Sequence, residues 1–308
     1  MKISFKLLLG FLLLLPIVVK AQVGLPTGQY MFTPLIVNPA YAGTEGSLNI
    51  TSVNRMSWLG MQGDAKAPKN IGLLADAGLP YHRIGLGMAL HMQEINVHQR
   101  MSFQGMVSYH LSLNKTWDIS AGLLLGGNHY SVNYERLNIQ HTNDPVYQDT
   151  YYEGWRPQVG TGIYLSGKGM QLGVSIPRLM EYRGILNSRV FEQAGVRVTA
   201  LYDWWYATWL HLKPSVMLNF PKGAAVEMDY SLLAFYKDVL GLGITYKWGS
   251  TIGGLSQVQL SRKWKLGYLF ELPVGQRTSL NGVAHELMLQ FQLGAIGKER
   301  VSPRSFYR

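Results

Sequence analysis

Few residues in this chain combine the types and spacings that do chemistry. His141, Asp144 and Asp149 share one polar stretch and offer the nitrogen and oxygen donors that a divalent ion takes. Their spacing matches no recognised ligand pattern, so no metal is expected there. His82, His91, His98, His110 and His129 are scattered over several segments, with serines plentiful around them. A serine nucleophile needs its base within about 2.6–3.2 Å, and nothing in these spacings enforces that approach. The run from Gly122 to Gly127 lacks the Lys-Ser/Thr ending and the strand–loop–helix setting of a phosphate cradle. No dinucleotide-binding or kinase signature occurs. The chain therefore reads as non-enzymatic, with no catalytic, cofactor-binding or metal residues.

The elements that carry these residues have a period of two. From Ser102, one face holds Phe103, Gly105, Val107, Tyr109, Leu111 and Leu113, and the other Ser102, Gln104, Met106, Ser108, His110 and Ser112. A second run sets Leu210, Leu212, Val216, Leu218 and Phe220 against His211, Lys213, Ser215 and Asn219. A third sets Leu287, Leu289, Phe291 and Leu293 against Glu286, Gln290 and Gln292. Strict alternation is a strand signal, because a helix repeats near 3.6. The runs also exceed the five or six residues of an ordinary strand and suit the roughly 9–11 of a tilted membrane strand. Fourteen strands are expected, near 48–56, 69–78, 83–94, 99–112, 116–129, 156–167, 169–176, 192–203, 207–220, 223–233, 238–248, 251–260, 263–271 and 284–294.

The rest of the composition agrees. Of 308 residues, 47% are hydrophobic and only 15% charged, with 34 glycines and 12% aromatics. Disorder is excluded by the hydrophobicity. Lys2 and Lys6 precede the apolar run Leu7 to Val19, and Val19-Lys20-Ala21 resembles a small-residue cleavage site before Gln22. Residues 1–21 thus read as a signal peptide, the run being shorter than the ~20 residues of a membrane span. With no cysteine, a lipoprotein anchor and disulfides are both excluded. The net charge of +10, or +7 without Lys2, Lys6 and Lys20, is scattered rather than clustered, so no nucleic-acid partner is expected. Beyond residue 21 no apolar run could cross a membrane as a helix. Lipid satisfies no open sheet edge, so a spanning chain of this kind must close its strands into a barrel.

The expected fold is therefore all-β: a transmembrane outer-membrane barrel of about 14 antiparallel strands over residues 48–294. Its apolar face meets outer-membrane lipid and its polar face lines the lumen. Trp58, Trp117, Trp155, Trp204, Trp205, Trp209, Trp248 and Trp264 fall mostly near strand ends, as interfacial belts do. Glycines within strands, such as Gly85, Gly122 and Gly243, permit curvature or make room for material in the lumen. The longest connection, 130–155, follows the fifth strand and faces outward. Tyr151, Tyr152 and Trp155 make it a candidate partner-binding surface, as flexible aromatic loops often are, with a loop simply folded down on the barrel as the equal alternative. Residues 177–191, with Arg178, Arg183 and Arg189, also face outward.

Residues 22–47 stand outside the strand pattern. Pro34, Asn38 and Pro39 interrupt regular structure, while Tyr30, Met31, Phe32, Leu35 and Tyr41 demand burial somewhere. The segment is either a lumen plug or a periplasmic arm. Tyr30, Phe32, Pro34, Asn38, Pro39 and Tyr41 are candidate partner contacts. Residues 295–308 form a basic periplasmic tail in which Arg300 and Arg304 are candidate docking residues.

The stretch from Gln29 to Gly43, Gln-Tyr-Met-Phe-Thr-Pro-Leu-Ile-Val-Asn-Pro-Ala-Tyr-Ala-Gly, closely resembles the N-terminal signature of the PorP/SprF family of type IX secretion system membrane proteins. Three further pieces are similar: Asn54-Arg55-Met56-Ser57-Trp58-Leu59-Gly60, Ala67-Pro68, and Leu266-Gly267-Tyr268 followed by His285-Glu286-Leu287-Met288-Leu289. The chain departs at Thr33, where the family often has Asn, over Gly267-Tyr268-Leu269-Phe270-Glu271, where the family usually shows Gly-Tyr-x-Tyr followed by an acidic residue, and at Val283-Ala284, where Gly-Ser is common. The resemblance spans about 22–294. It implies a Bacteroidota-type outer membrane and partners in type IX secretion or gliding machinery, including a periplasmic ring or peptidoglycan-associated subunit. It also implies a client such as a large exported surface adhesin. The family has no known catalytic residues or cofactors. The competing functions are a channel or transporter for small or apolar molecules and, more remotely, a barrel hydrolase.

Overall fold

A computed structural model of the chain describes residues 27–59, 67–79, 83–133, 151–179, 195–222, 224–274 and 282–295, with backbone alone at 58, 133 and 151–153. A one-turn helix α1 (Pro34–Val37) and a 3-10 turn (Pro39–Tyr41) precede the strands β1 (Ser47–Leu59), β2 (Lys69–Leu79), β3 (Ile84–Ile95), β4 (His98–Ser112) and β5 (Trp117–Asn133). They are followed by β6 (Tyr151–Gly167), β7 (Met170–Ile176), β8 (Gly195–Tyr202), β9 (Trp204–Ala207) and β10 (Leu210–Pro221). The last are β11 (Glu227–Tyr236), β12 (Leu240–Lys247), β13 (Thr251–Gln259), β14 (Trp264–Pro273) and β15 (Val283–Ala295).

Strands pair antiparallel with their neighbours in sequence, β8 and β9 excepted, and β15 returns to β1 with Val53 opposite Met288. β8 and β9 both lie along β10, at Ser215–Pro221 and at Leu210–Leu212 respectively, so they form one stave broken at Asp203. The sheet is a closed barrel of fourteen staves. Closure removes every edge along the paired ladders, which is what lipid requires of a sheet. At the break, the Asp203 N–H donates to Gly169 C=O at 2.7 Å and its carboxylate lies 3.1 Å from Lys213 Nζ.

Polarity is inverted relative to a soluble protein. Leu123, Leu125, Ile163, Leu242 and Ile244 are exposed on the outer wall, while Ser108, Ser120, Asn128, Gln158, Ser175, Arg197 and Glu286 are buried within. This follows from the alternation: successive side chains point to opposite faces, and lipid takes the apolar one. Trp117, Trp204 and Trp264 begin strands, and Trp248 directly follows one.

Connections at one end, 80–83, 113–116, 168–169, 208–209, 237–239 and 260–263, are short. Those at the other include 60–68, 134–150, 177–194 and 274–282. Outer-membrane barrels keep short turns in the periplasm, so the second end is the outer one.

Candidate functional site: the plugged lumen

The segment from Thr27 to Gly46 lies inside the barrel, as a plug. Its direction is set by Gly43, whose φ of +69° takes the turn that feeds the chain into β1. The Gly43 N–H is held by Asp76 Oδ2 of β2 at 3.0 Å. Pro34 opens α1, where a missing N–H costs nothing. Asn38 caps the next turn, its side chain accepting from Ala40 N–H at 2.9 Å while its amide donates to Ile163 C=O of β6 at 2.9 Å.

Backbone that is neither helix nor sheet must find partners if it is buried. The wall supplies them. Ser108 of β4 donates to Ala42 C=O at 2.6 Å, Ser120 of β5 to Ala40 C=O at 2.7 Å, and Ser175 of β7 to Val37 C=O at 2.6 Å. Arg197 of β8 donates to Ile36 C=O at 3.3 Å. On the far side, Tyr30 Oη donates to Ser215 Oγ at 3.1 Å and lies 3.3 Å from Asp229 C=O.

The plug also forms the apolar interior. Leu35, Ala40, Tyr41 and Ala42 pack with Val53, Leu74, Ala89, Met106, Leu124, Tyr164 and Met288, and Tyr41 meets Tyr164 edge-on at 5.4 Å. Tyr30, Met31 and Val37 pack with Leu201, Met217, Leu233, Phe235, Leu255 and Leu269. The wall leaves space to match. A Cβ on Gly122 would overlap the Ala40 and Pro39 backbone, and one on Gly162 would overlap the Asn38 side chain.

An ionic cluster fastens the leading end. Glu286 of β15 accepts from Thr27 Oγ1 at 2.5 Å, Gly28 N–H at 2.8 Å and Gln29 N–H at 3.2 Å. The same carboxylate pairs with Arg55 of β1 at 3.0 Å. Arg55 also pairs with Glu271 of β14, which lies 3.1 Å from Lys247 Nζ. The Arg55 side chain is 9% exposed and both carboxylates 0%, so each charge depends on its partners.

The candidate residues read from the sequence divide clearly. Tyr30, Asn38, Pro39 and Tyr41 are buried in the plug, and Phe32 and Pro34 half-buried. Trp155 stands far away on the outer part of β6, 66% exposed and tilted against His129 with ring centroids 5.1 Å apart. Tyr151 and Tyr152 occupy the same strand by backbone. Arg300 and Arg304 lie outside the described residues, as do His82, His141, Asp144, Asp149, Arg183 and Arg189. Among the described residues no cluster of three metal-ligand side chains occurs. Ser108 Oγ and His110 Nε2 do approach to 2.9 Å, but both converge on the Ala42 carbonyl and are buried by the plug. That pair is structural.

Sequence reasoning missed Glu286, Arg55 and Glu271 as site residues. Their signal was partly present: Glu271 and Glu286 are charges on the inward-facing rows of strands whose alternate rows are mostly apolar, whereas the row alternate to Arg55 carries Ser52 and Asn54 and hides the pattern.

A closed antiparallel sheet with a lipid-facing apolar wall and a lumen filled by its own N-terminal segment defines the class, a plugged transmembrane outer-membrane β-barrel. Within that class the chain belongs to the PorP/SprF family. The family model described as "Type IX secretion system membrane protein PorP/SprF" matches residues 19–291. Family membership carries a non-enzymatic accessory role in type IX secretion. No curated protein sequence matches the chain. Among solved structures it is similar to the Ralstonia pickettii toluene transporter TbuX, at 9% identity and a TM-score of 0.51, covering 84% of this chain and 92% of that one. It is also similar to the CymD monoaromatic hydrocarbon channel, at 8% identity and a TM-score of 0.51, covering 89% and 94%. At such identities the likeness is one of fold alone.

Proposed function

We propose that this barrel is a docking platform that supports the export or surface attachment of a particular client, such as a large adhesin, within the type IX secretion or gliding machinery. The observation that carries this reading is the plug. A lumen whose middle is occupied by Thr27–Gly46, bonded to wall residues on β2, β4, β5, β6, β7, β8, β10 and β15, leaves the two rims as the working surfaces. In this reading the periplasmic turns and the basic tail with Arg300 and Arg304 meet the machinery, a periplasmic ring or peptidoglycan-associated subunit. The outer connections, with Tyr151, Tyr152 and Trp155, meet the client. The plug residues Tyr30, Phe32, Pro34, Asn38, Pro39 and Tyr41 contribute indirectly, by holding the rims in shape. Residues 1–21 serve as a cleaved export signal, which intact-mass measurement of the outer-membrane form would test at Gln22.

The test is deletion of the gene followed by surface proteomics, with affinity purification from native outer membrane alongside. One or a few large exported proteins should disappear from the cell surface while others persist, and a secretion-system component should co-purify. Unchanged surface display with no such partner would overturn the reading. A transporter would instead give steady conductance in planar bilayers with the plug intact.

A further inference from the structure

The periplasmic ends of the strands pair charge with aromatic residues in a repeating way. Arg83 precedes β3, Lys115 lies between β4 and β5, and Lys168 between β6 and β7. Lys237 lies between β11 and β12, and Arg262 and Lys263 between β13 and β14. All six side chains are exposed. The remaining short connection, between β9 and β10, carries Trp209 instead.

Acidic residues do not offset these cations. Asp118 accepts from Ser112 Oγ at 2.6 Å, Asp203 lies 3.1 Å from Lys213 Nζ, and Asp238 lies 3.0 Å from His211 Nδ1. All three are partly covered. Among the described residues, Glu45 is the one exposed carboxylate at this end, and it accepts from Tyr41 Oη at 2.8 Å and Gln292 Nε2 at 3.3 Å. No described carboxylate forms an ion pair with any of the six cations.

Beside the cations stand aromatic rings on the lipid-facing rows. Trp117 begins β5, two residues after Lys115, and Trp264 begins β14, directly after Lys263. Tyr236 ends β11, with Lys237 Nζ 5.3 Å from its ring centroid and Trp209 edge-on to it at 6.0 Å. Tyr109 stands opposite Ile84, next to Arg83. Amphipathic rings on a lipid-facing wall settle at the headgroup level. A lysine or arginine just beyond them keeps its stem along the apolar surface and its charge among the headgroups. The cations are also spread over five connections around the ring rather than gathered on one arc. A lipid annulus touches every stave of a barrel, whereas a docked protein touches one side. The distribution therefore fits lipid better than protein.

We propose that this rim is a binding belt for phospholipids of net negative headgroup charge, such as phosphatidylglycerol or cardiolipin, in the periplasmic leaflet. A zwitterionic ethanolamine headgroup brings its own cation to its phosphate and gains little from a lysine. A phosphate without an internal cation gains more, and each basic residue near such a surface contributes about a fivefold preference. The belt is independent of the docking reading, because lipid meets the side of the rim and a periplasmic component its underside.

The experiment uses the full protein in nanodiscs of phosphatidylethanolamine with a minor fraction of brominated phosphatidylglycerol or, for comparison, the same fraction of brominated phosphatidylethanolamine. The readout is tryptophan quenching, since Trp117, Trp209 and Trp264 stand at this rim. An enrichment of about fivefold at the cations should make the brominated anionic lipid quench at least about twice as strongly. The difference should shrink in about 0.5 M salt, where screening acts within roughly 4 Å. Replacing all six cations with glutamine should remove it, while arginine at Lys115, Lys168, Lys237 and Lys263 should retain it. Heat-modified gel mobility would verify that each barrel is folded.

Equal quenching of the wild type by the two brominated lipids would overturn the proposal, as would a preference that survives the six glutamine substitutions. If the wild type shows no lipid preference but those substitutions strip an acidic periplasmic protein from the native complex, the cations serve that protein and the lipid belt is refuted. Surface display of the client tests the docking reading separately.

Discussion

Replacing Glu286 with alanine should release the leading end of the plug while leaving the barrel closed. The distinction rests on which bonds belong to which event. Arg55 and Glu286 sit opposite each other in the β1–β15 ladder, so their pairing is part of the wall and survives plug release. The bonds lost on release are those from Thr27 Oγ1, Gly28 N–H and Gln29 N–H. A hydrogen bond to a charged group contributes about 1.5–3 kcal/mol. Three such donors sharing one carboxylate, taken at the low end, give about 4.5 kcal/mol, on the order of a 10³-fold change in the opening equilibrium. The chain has no cysteine, so a thiol introduced by Met31→Cys, at a position 5% exposed, is a unique reporter. Labelling by a water-soluble maleimide proceeds through local opening. It should therefore accelerate by roughly 10³-fold in the Glu286→Ala background and by about 10–100-fold with Glu286→Gln, which keeps an acceptor but loses the charge. Heat-modified gel mobility would verify that the barrel stays folded. Labelling of the folded Glu286→Ala barrel at about the wild-type rate would refute the assignment of this carboxylate as the plug's fastening.

Other expectations follow from the same contacts. Gly122→Val should leave a barrel that inserts but cannot seat its plug, because the new side chain meets the Ala40 and Pro39 backbone; planar-bilayer recordings should show conductance absent from the wild type. Asn38→Ala removes the bonds to Ala40 N–H and Ile163 C=O and should cost the plug about 1–3 kcal/mol, read as faster labelling at Met31→Cys. Leu125→Lys places a charge on the lipid face at a residue 63% exposed. It should destabilise the barrel by about 2–4 kcal/mol if the site lies near the bilayer midplane, measured by denaturant titration in vesicles.

Most of the wall was legible because lipid imposes a simple rule on it. Where a strand crosses hydrocarbon, one row must be apolar, and period-two runs such as Phe103 to Leu113 declare themselves. The reading weakened where that rule lapses. β5 and β6 extend to Asn133 and back to Tyr151, beyond the expected 129 and 156, and their outermost residues alternate poorly because the outer rim no longer meets hydrocarbon. β11 begins at Glu227 rather than 223, since Ala224, Ala225 and Val226 prolong an apolar pattern through what is a connection. The eighth stave breaks at Asp203, which bonds sideways to Gly169 and Lys213 instead of continuing the ladder. Burial of Tyr30 and Tyr41 was foreseeable from their types. The choice between plug and arm was not, because it depends on which inward-facing residues sit at one level of the barrel, and strand tilt hides that from a linear sequence.

The match between wall and plug explains why an irregular segment can be so deeply buried in a membrane protein. A lumen lined by serines at Ser108, Ser120 and Ser175 offers donors where the plug has carbonyls, and glycines at Gly122 and Gly162 give its backbone room to approach. Removing the plug would leave those serines to water, and it would strip Leu35, Tyr41 and Met31 of their apolar neighbours. The polar inner face is therefore built as one half of a core, with residues 27–46 as the other half. A barrel whose interior is committed in this way has its rims left for interaction.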